Sequence, residues 1–249
     1  MAKQLRLALG RLSARQFAPV GSAAVHARAL TKKVTGNRYQ APSAQLQVDP
    51  MVGHHLMSEY RSRQNEPPSD RLQRSYAAMR DDVNAQYEHM TRPREEGGMG
   101  IHHEVTAEDP YATPGQMAHD VRKNRTIKTL STETTGGHSF FTNEENDRFR
   151  AVHDVFGHAA VGRGFSRHGE EAAWRSHVQM FSPEAREAMT SETRGQNSYL
   201  NYHPGGANFP EQGMVGMSKL AQSPEAGAIL RRATPKTARP QGEQLRLPL

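Results

Sequence analysis

Residues 149–181 read FRAVHDVFGHAAVGRGFSRHGEEAAWRSHVQMF. Apolar positions recur at helical spacing on both sides of a glycine-rich centre. Phe149, Val152, His153 and Phe156 share one face of a first helix, while Glu170, Trp174, His177 and Phe181 share one face of a second. Thr142, followed three residues later by Glu145, is a capping box that starts the first helix. The connection at 160–169 (AVGRGFSRHG) is short, so the second helix folds back on the first as an αα-hairpin. Four of the thirteen histidines lie here: His153, His158, His168 and His177. Beside them stand Glu170 and Glu171. Imidazoles and carboxylates are the side chains that hold a transition metal or move protons near neutral pH.

The spacing of the histidines is selective. Five residues separate His153 from His158. In a straight α-helix that step places side chains about 140° apart, against about 40° for a four-residue step. The His-Glu-x-x-His zinc signature uses the four-residue step, so it is excluded. Convergence of His153 and His158 on one ion requires the helix to end or distort between them. Gly157 allows this, as a residue able to terminate a helix in the left-handed conformation. Glu170 and His177 sit two turns apart, about 10 Å along the axis, too far to bind one ion together. Glu171 is turned about 100° from Glu170 and competes with it as the ligand. Two histidines from one helix end and a carboxylate from its neighbour form a 2-His-1-carboxylate set with open positions. His153, His158 and Glu170 are thus the expected metal ligands, with Glu171 and His177 as proton acceptors. Taken singly, each residue also has a structural reading. His153 could be a buried imidazole bonded to a carbonyl, and Glu170 could pair with Arg163 or Arg167.

Outward from this stretch the chain is mostly helical. Ser69 caps SDRLQRSYAAMRDDVNAQYEHM, in which Leu72, Tyr76, Met79, Val83, Tyr87 and Met90 form one core face. Met51–Arg61, Thr113–Asn124, the Ser182-Pro183-Glu184 start and Pro224–Arg232 suggest further helices. Thr126–Ser131 alternates as a strand, with His138–Phe141 as its expected partner after Gly136-Gly137. Thr91–Pro110, including His102 and His103, reads as loop. Glu192, Arg194, Gln196 and Asn197 cluster around Gly195, either as substrate contacts or as a helix-terminating loop. The expected fold is mainly α: one helical domain over 49–222 with a small β element.

Composition bounds the rest. Of 249 residues, 35% are hydrophobic, and no apolar run approaches the roughly 20 residues that cross a bilayer. The absence of cysteine removes disulfides, cysteine-based zinc sites, iron–sulfur clusters and thiol nucleophiles. No phosphate loop, dinucleotide fingerprint or nucleophile elbow is present. The net charge of +6 belongs to the ends. Residues 1–48 hold eight basic residues and no acid, and 231–249 hold five basic residues and one acid, so the body between is acidic on balance. A basic arm at 1–48, with 18–48 as linker, and a disordered basic tail at 223–249 are expected. Both suit non-specific contact with nucleic acid. The acid-free N-terminus also matches an organellar transit peptide.

Two resemblances add to this reading. His153-Asp154-Val155-Phe156-Gly157-His158 resembles the His-Glu-Leu-Leu-Gly-His iron motif of pterin-dependent aromatic amino acid hydroxylases. It implies His153 and His158 as ligands of Fe(II). That family's third ligand lies much farther downstream than Glu170 or Glu171. Separately, about 110–212 resembles an uncharacterised group of tailed-bacteriophage proteins through AVHDVFGHA, RHGEEAAW, SETRGQN and FPEQ. This implies a phage virion or a bacterial host cytoplasm. The expected function is a metal-dependent enzyme, a hydroxylase with Fe(II) or a hydrolase with zinc. The rival is a non-enzymatic virion or nucleic-acid-associated protein with structural histidines.

Overall fold

A computed structural model describes residues 17–204 and 213–233. The expected helix at 1–17, the tail beyond 233 and the FPEQ segment fall wholly or almost wholly outside the described residues. The fold is mainly α-helical with one two-stranded sheet, as the periodicity predicts. In chain order come α1 (Gly21–Thr35), α2 (Pro50–Arg63), α3 (Asp70–Thr91), β1 (His102–Thr106), α4 (Pro114–His119), β2 (Thr126–Leu130), α5 (Asn143–Val152), α6 (Arg167–His177), α7 (Arg186–Thr190), α8 (Gln196–Tyr202) and α9 (Ala226–Ala233). Among the described residues no helix is long and apolar enough to cross a membrane.

Local chemistry sets several helix starts where the sequence places them. The Ser69 hydroxyl accepts from Leu72 N–H at the start of α3. Thr142 and Glu145 complete both halves of a capping box on α5, at 3.2 and 2.9 Å. Thr113 and Gln116 do the same for α4. Such caps satisfy backbone donors that the helix itself leaves open, typically for about 1 kcal/mol each. The helix α3 runs through the main core and buries Leu72, Tyr76, Met79, Val83 and Met90. One register detail differs: Gln86, not Tyr87, occupies the buried stripe, and Tyr87 is half-buried.

Three expectations need correction. First, 18–48 is not a linker. The helix α1 buries Ala23, Ala27 and Leu30 against the core, and the segment after it wraps the hairpin connection. Val20 N–H donates to the Ala159 carbonyl at 2.8 Å, and Arg163 donates to the carbonyls of Ala44 and Leu46. The folded unit therefore begins at least at Phe17, not at 49. At the other end it includes α9, whose Ala226 packs with Val52, Leu56 and Tyr60 of α2. Second, β2 pairs in parallel with β1, His102 opposite Thr126 through Thr106 opposite Leu130. The loop reading of His102 and His103 is thus replaced by a strand. His138–Phe141 is not extended, because the His138 ring accepts from the N–H groups of Phe140 and Phe141 and curls the segment back. Third, Gly195 does not end a helix. α7 continues through a widened turn, Ser191–Gly195, directly into α8.

Candidate metal centre

The helix does not break at Gly157 either. From His153 to Ala159 it widens into a π-turn, with Ala160 N–H bonded to the Val155 carbonyl five residues back. One turn of this geometry takes an extra residue, and such turns are common at functional sites. It is the distortion that the five-residue spacing demands. His153 and His158 now project together, their rings nearly perpendicular with centroids 5.1 Å apart.

Neighbouring elements hold this turn open. Ser176 on α6 donates to the Phe156 carbonyl at 2.7 Å, and Tyr39 lies 2.7 Å from the same hydroxyl. Because the Ser176 proton is committed to Phe156, Tyr39 is the donor in that second bond. Gly162, at φ 70°, reverses the chain after the turn. A Cβ at Gly157 would stand 3.1 Å from the His153 ring and 3.2 Å from the Ala173 Cβ. Glycine at 157 thus makes room for both the ligand ring and α6. Gly157→Ala is expected to leave the melting temperature nearly unchanged, because helix propensity gains up to about 1 kcal/mol against the crowding. Metal affinity, measured by titration, is expected to fall about tenfold through displacement of His153.

The third group arrives from the first turn of α6. The Nε2 atoms of His158 and His153 lie 3.4 and 3.9 Å from Glu170 Oε2. One ligand atom from each of the three residues falls within 4.8 Å of the others. Ligands about 2.1 Å from one ion stand roughly 3–3.4 Å apart, so small side-chain adjustments suffice. Asn197 Nδ2 donates to the same Glu170 oxygen at 3.0 Å and orients it. His158 Nδ1–H donates to the Arg163 carbonyl at 3.0 Å, which leaves the lone pair on Nε2. The three residues can hold a metal ion. Burial opposes charge on Glu170, but the neighbouring His158 charge and hydrogen bonds from both histidines outweigh it, holding the carboxyl well below its usual range. Burial likewise lowers His158, yet the Glu170 charge and hydrogen bond raise it above its ordinary value. The Glu170 carboxylate and His158 thus each favour the charged form of the other, and a cation would take the place of the proton between them.

A cavity of about 180 Å³ adjoins the three residues. Its wall includes Phe149 and Phe165 among apolar groups, and Arg150, Asp154, Asn146 and Thr129 among polar ones. Arg150 is half-buried, donating to the Leu130 carbonyl and to Thr135. Of the expected substrate contacts, Glu192, Gln196 and Asn197 line the cavity. Glu192 is itself bound by Tyr76 and Gln196, each at 2.5 Å.

The other expected site residues face elsewhere. Glu171 and Arg194 form a buried bidentate pair at 2.7 and 2.8 Å, and neither lines the cavity. Arg194 stacks on Trp174 with its guanidinium carbon 4.0 Å from the ring centroid. Glu171 is thus turned to the arginines and is not among the three groups that converge on His153 and His158. His177 is fully buried behind His153 and is off the cavity wall. Desolvation, then the charges of His153 and His158, push it well below its ordinary value, so it is neutral. His168 accepts from Val48 N–H at 3.0 Å. Arg163, offered as a partner of Glu170, is spent on backbone carbonyls. Comparison with protein-family models, with curated proteins and with solved structures finds no match for this chain.

Proposed function

We propose that this protein is a metal-dependent enzyme, a hydroxylase-like oxygenase in which His153, His158 and Glu170 hold Fe(II) at the wall of the cavity. One observation carries the reading: a ligand nitrogen from each of two imidazoles and a carboxylate oxygen converge within 4.8 Å at a partly apolar pocket. This donor set with open positions is characteristic of non-heme Fe(II) sites, and the five-residue histidine spacing resembles that of the hydroxylase iron motif. When bound, the ion supplies Lewis-acid charge and, as iron, dioxygen activation. The chain's own residues do the rest. Asn197 holds the Glu170 carboxylate in place, the Arg163 carbonyl holds the His158 ring, and Phe149 and Phe165 limit water at the cavity wall.

Zinc hydrolysis is the second reading, since two histidines and a glutamate also suit Zn(II). It is placed behind iron because Glu171 and His177, its expected proton acceptors, lie off the cavity. The phage-like motifs support action in an infected bacterial cell or within the virion.

The test uses full-length protein purified without a histidine tag. Elemental analysis, or anaerobic loading with Fe(II), is expected to give about one equivalent of metal per chain. Nitric oxide binding by the iron-loaded protein would report open positions. A wild type that is metal-free and cannot be loaded with Fe(II) or Zn(II) would leave the histidines structural and the virion reading preferred.

A further inference from the structure

We infer that Gln86 and His177 are positioning residues for the metal centre, fixing His153 in the tautomer whose Nε2 carries a lone pair toward Glu170. This rests on the proposed metal site, but its hydrogen-bond logic is separate.

The chain of reasoning starts at the Met180 carbonyl, which only accepts. It takes a proton from Gln86 Nε2 at 3.1 Å. Reversing that amide would set two carbonyl oxygens against each other, so Oε1 is the atom facing His177 Nε2, at 2.6 Å. An amide oxygen cannot donate, so His177 Nε2 carries a hydrogen. A neutral imidazole has one N–H, which leaves Nδ1 of His177 bare. That atom lies 3.2 Å from His153 Nδ1. Two bare nitrogens would repel at this distance, so His153 Nδ1 carries the hydrogen and donates it. In the neutral ring His153 Nε2 is then bare, the form in which it can bind a metal beside Glu170.

The surroundings enforce each step. Gln86 and His177 are 1% and 0% exposed, so water does not substitute for either partner. Rings of Phe149, Phe156 and Phe181 pack around His177 and disfavour a second proton on it. His158 obtains its tautomer locally, from the Arg163 carbonyl. His153 obtains its own from α3, far upstream in sequence. Both nitrogens of His177 are occupied by this arrangement, so its role is orientation of a metal ligand.

Isotope-labelled histidine NMR on the metal-free full chain tests the assignment without any variant. The expected result, at a pH where both rings are neutral, is His177 in its Nε2–H form and His153 in its Nδ1–H form. The opposite tautomer at either ring would overturn the proposal. Cobalt(II) titration tests the consequence. His177→Phe keeps an aromatic ring among the three phenylalanines but removes the acceptor, and affinity is expected to fall roughly 10–100-fold. His177→Asn places an amide oxygen near the former Nδ1 and is expected to regain most of that loss. Equal weakening in both variants, or wild-type affinity in His177→Phe, would overturn the positioning role while leaving the metal site standing. Correct tautomers in a wild type that binds no cobalt would support the hydrogen-bond assignment and remove the proposed function instead.

Discussion

Glu170→Gln is expected to strip the protein of bound metal while leaving it folded. The amide keeps the length of the side chain and an oxygen that can still accept from Asn197 Nδ2. It loses the charge that balances a cation. Of the three groups that converge, Glu170 is the single anion. Affinity for Co(II) or Zn(II) should fall by more than the roughly 10–100-fold typical of losing an outer partner of a ligand. A second readout is pH. In the wild type, Glu170 raises His158 above 6.5 despite burial. Protons and metal compete for the same Nε2, so wild-type affinity weakens as pH falls through that raised value. In Glu170→Gln the residual binding weakens only at lower pH, because the raising charge is gone. Metal-free stability carries the matching sign. A histidine whose folded pKa is raised stabilises the fold below its unfolded value, and that contribution is lost as pH rises through the folded one. Glu170→Gln should therefore lower the melting temperature of metal-free protein more at about pH 6 than at about pH 8. Unchanged metal affinity would remove Glu170 from the ligand set.

How far the sequence led is clearest at this turn. The five-residue gap between His153 and His158 required a distortion, and that inference stands. Its form was not legible. A terminated helix and a π-turn demand the same local residues, and the choice rests on partners distant in sequence: Ser176, Tyr39 and the Ala173 methyl beside Gly157. Helix starts at Ser69, Thr113 and Thr142 were legible because caps act within four residues. The β1–β2 pairing was not, because a parallel partner lies across an intervening helix and leaves no local turn signal. The helix α1 was missed for a different reason. It packs through Ala23 and Ala27, small residues that fit closely, in a segment whose scarcity of bulky apolar side chains reads as linker.

The supporting residues of the site divide in the same way. Gln86 had a usable signal: a lone amide at steps of four, three and four among Met79, Val83 and Met90, on a face otherwise apolar. A polar group in such a stripe has to find a buried partner, here His177. Arg150 and Thr129 carried no such signal, since they reach the cavity only through the fold of β2 against α5.

Glu171→Ala should produce the opposite phenotype to its neighbour: a large loss of stability with metal affinity preserved. The two acids are adjacent on α6, yet one helical step of about 100° turns them to different surroundings. Glu171 is 5% exposed and accepts from Arg194 at 2.7 and 2.8 Å and from Arg175 at 2.9 Å. Arg194 is 3% exposed, and its remaining donors reach the carbonyls of Ala221 and Ser223. Removing the carboxylate leaves a buried guanidinium with no anion, a change that typically costs about 3–5 kcal/mol. For a domain of this size that corresponds to a drop of roughly 6–20 °C in melting temperature. Arg194→Met should cost less, because Arg175 still balances Glu171 and the apolar chain still packs on Trp174. Replacing both residues with apolar side chains should recover much of the Glu171→Ala loss, since a buried pair gains little over good packing. Calorimetry of the three variants, set beside their cobalt affinities, separates the acids. If Glu171→Ala lost metal and kept its melting temperature, the division between a metal-facing Glu170 and an arginine-facing Glu171 would be reversed.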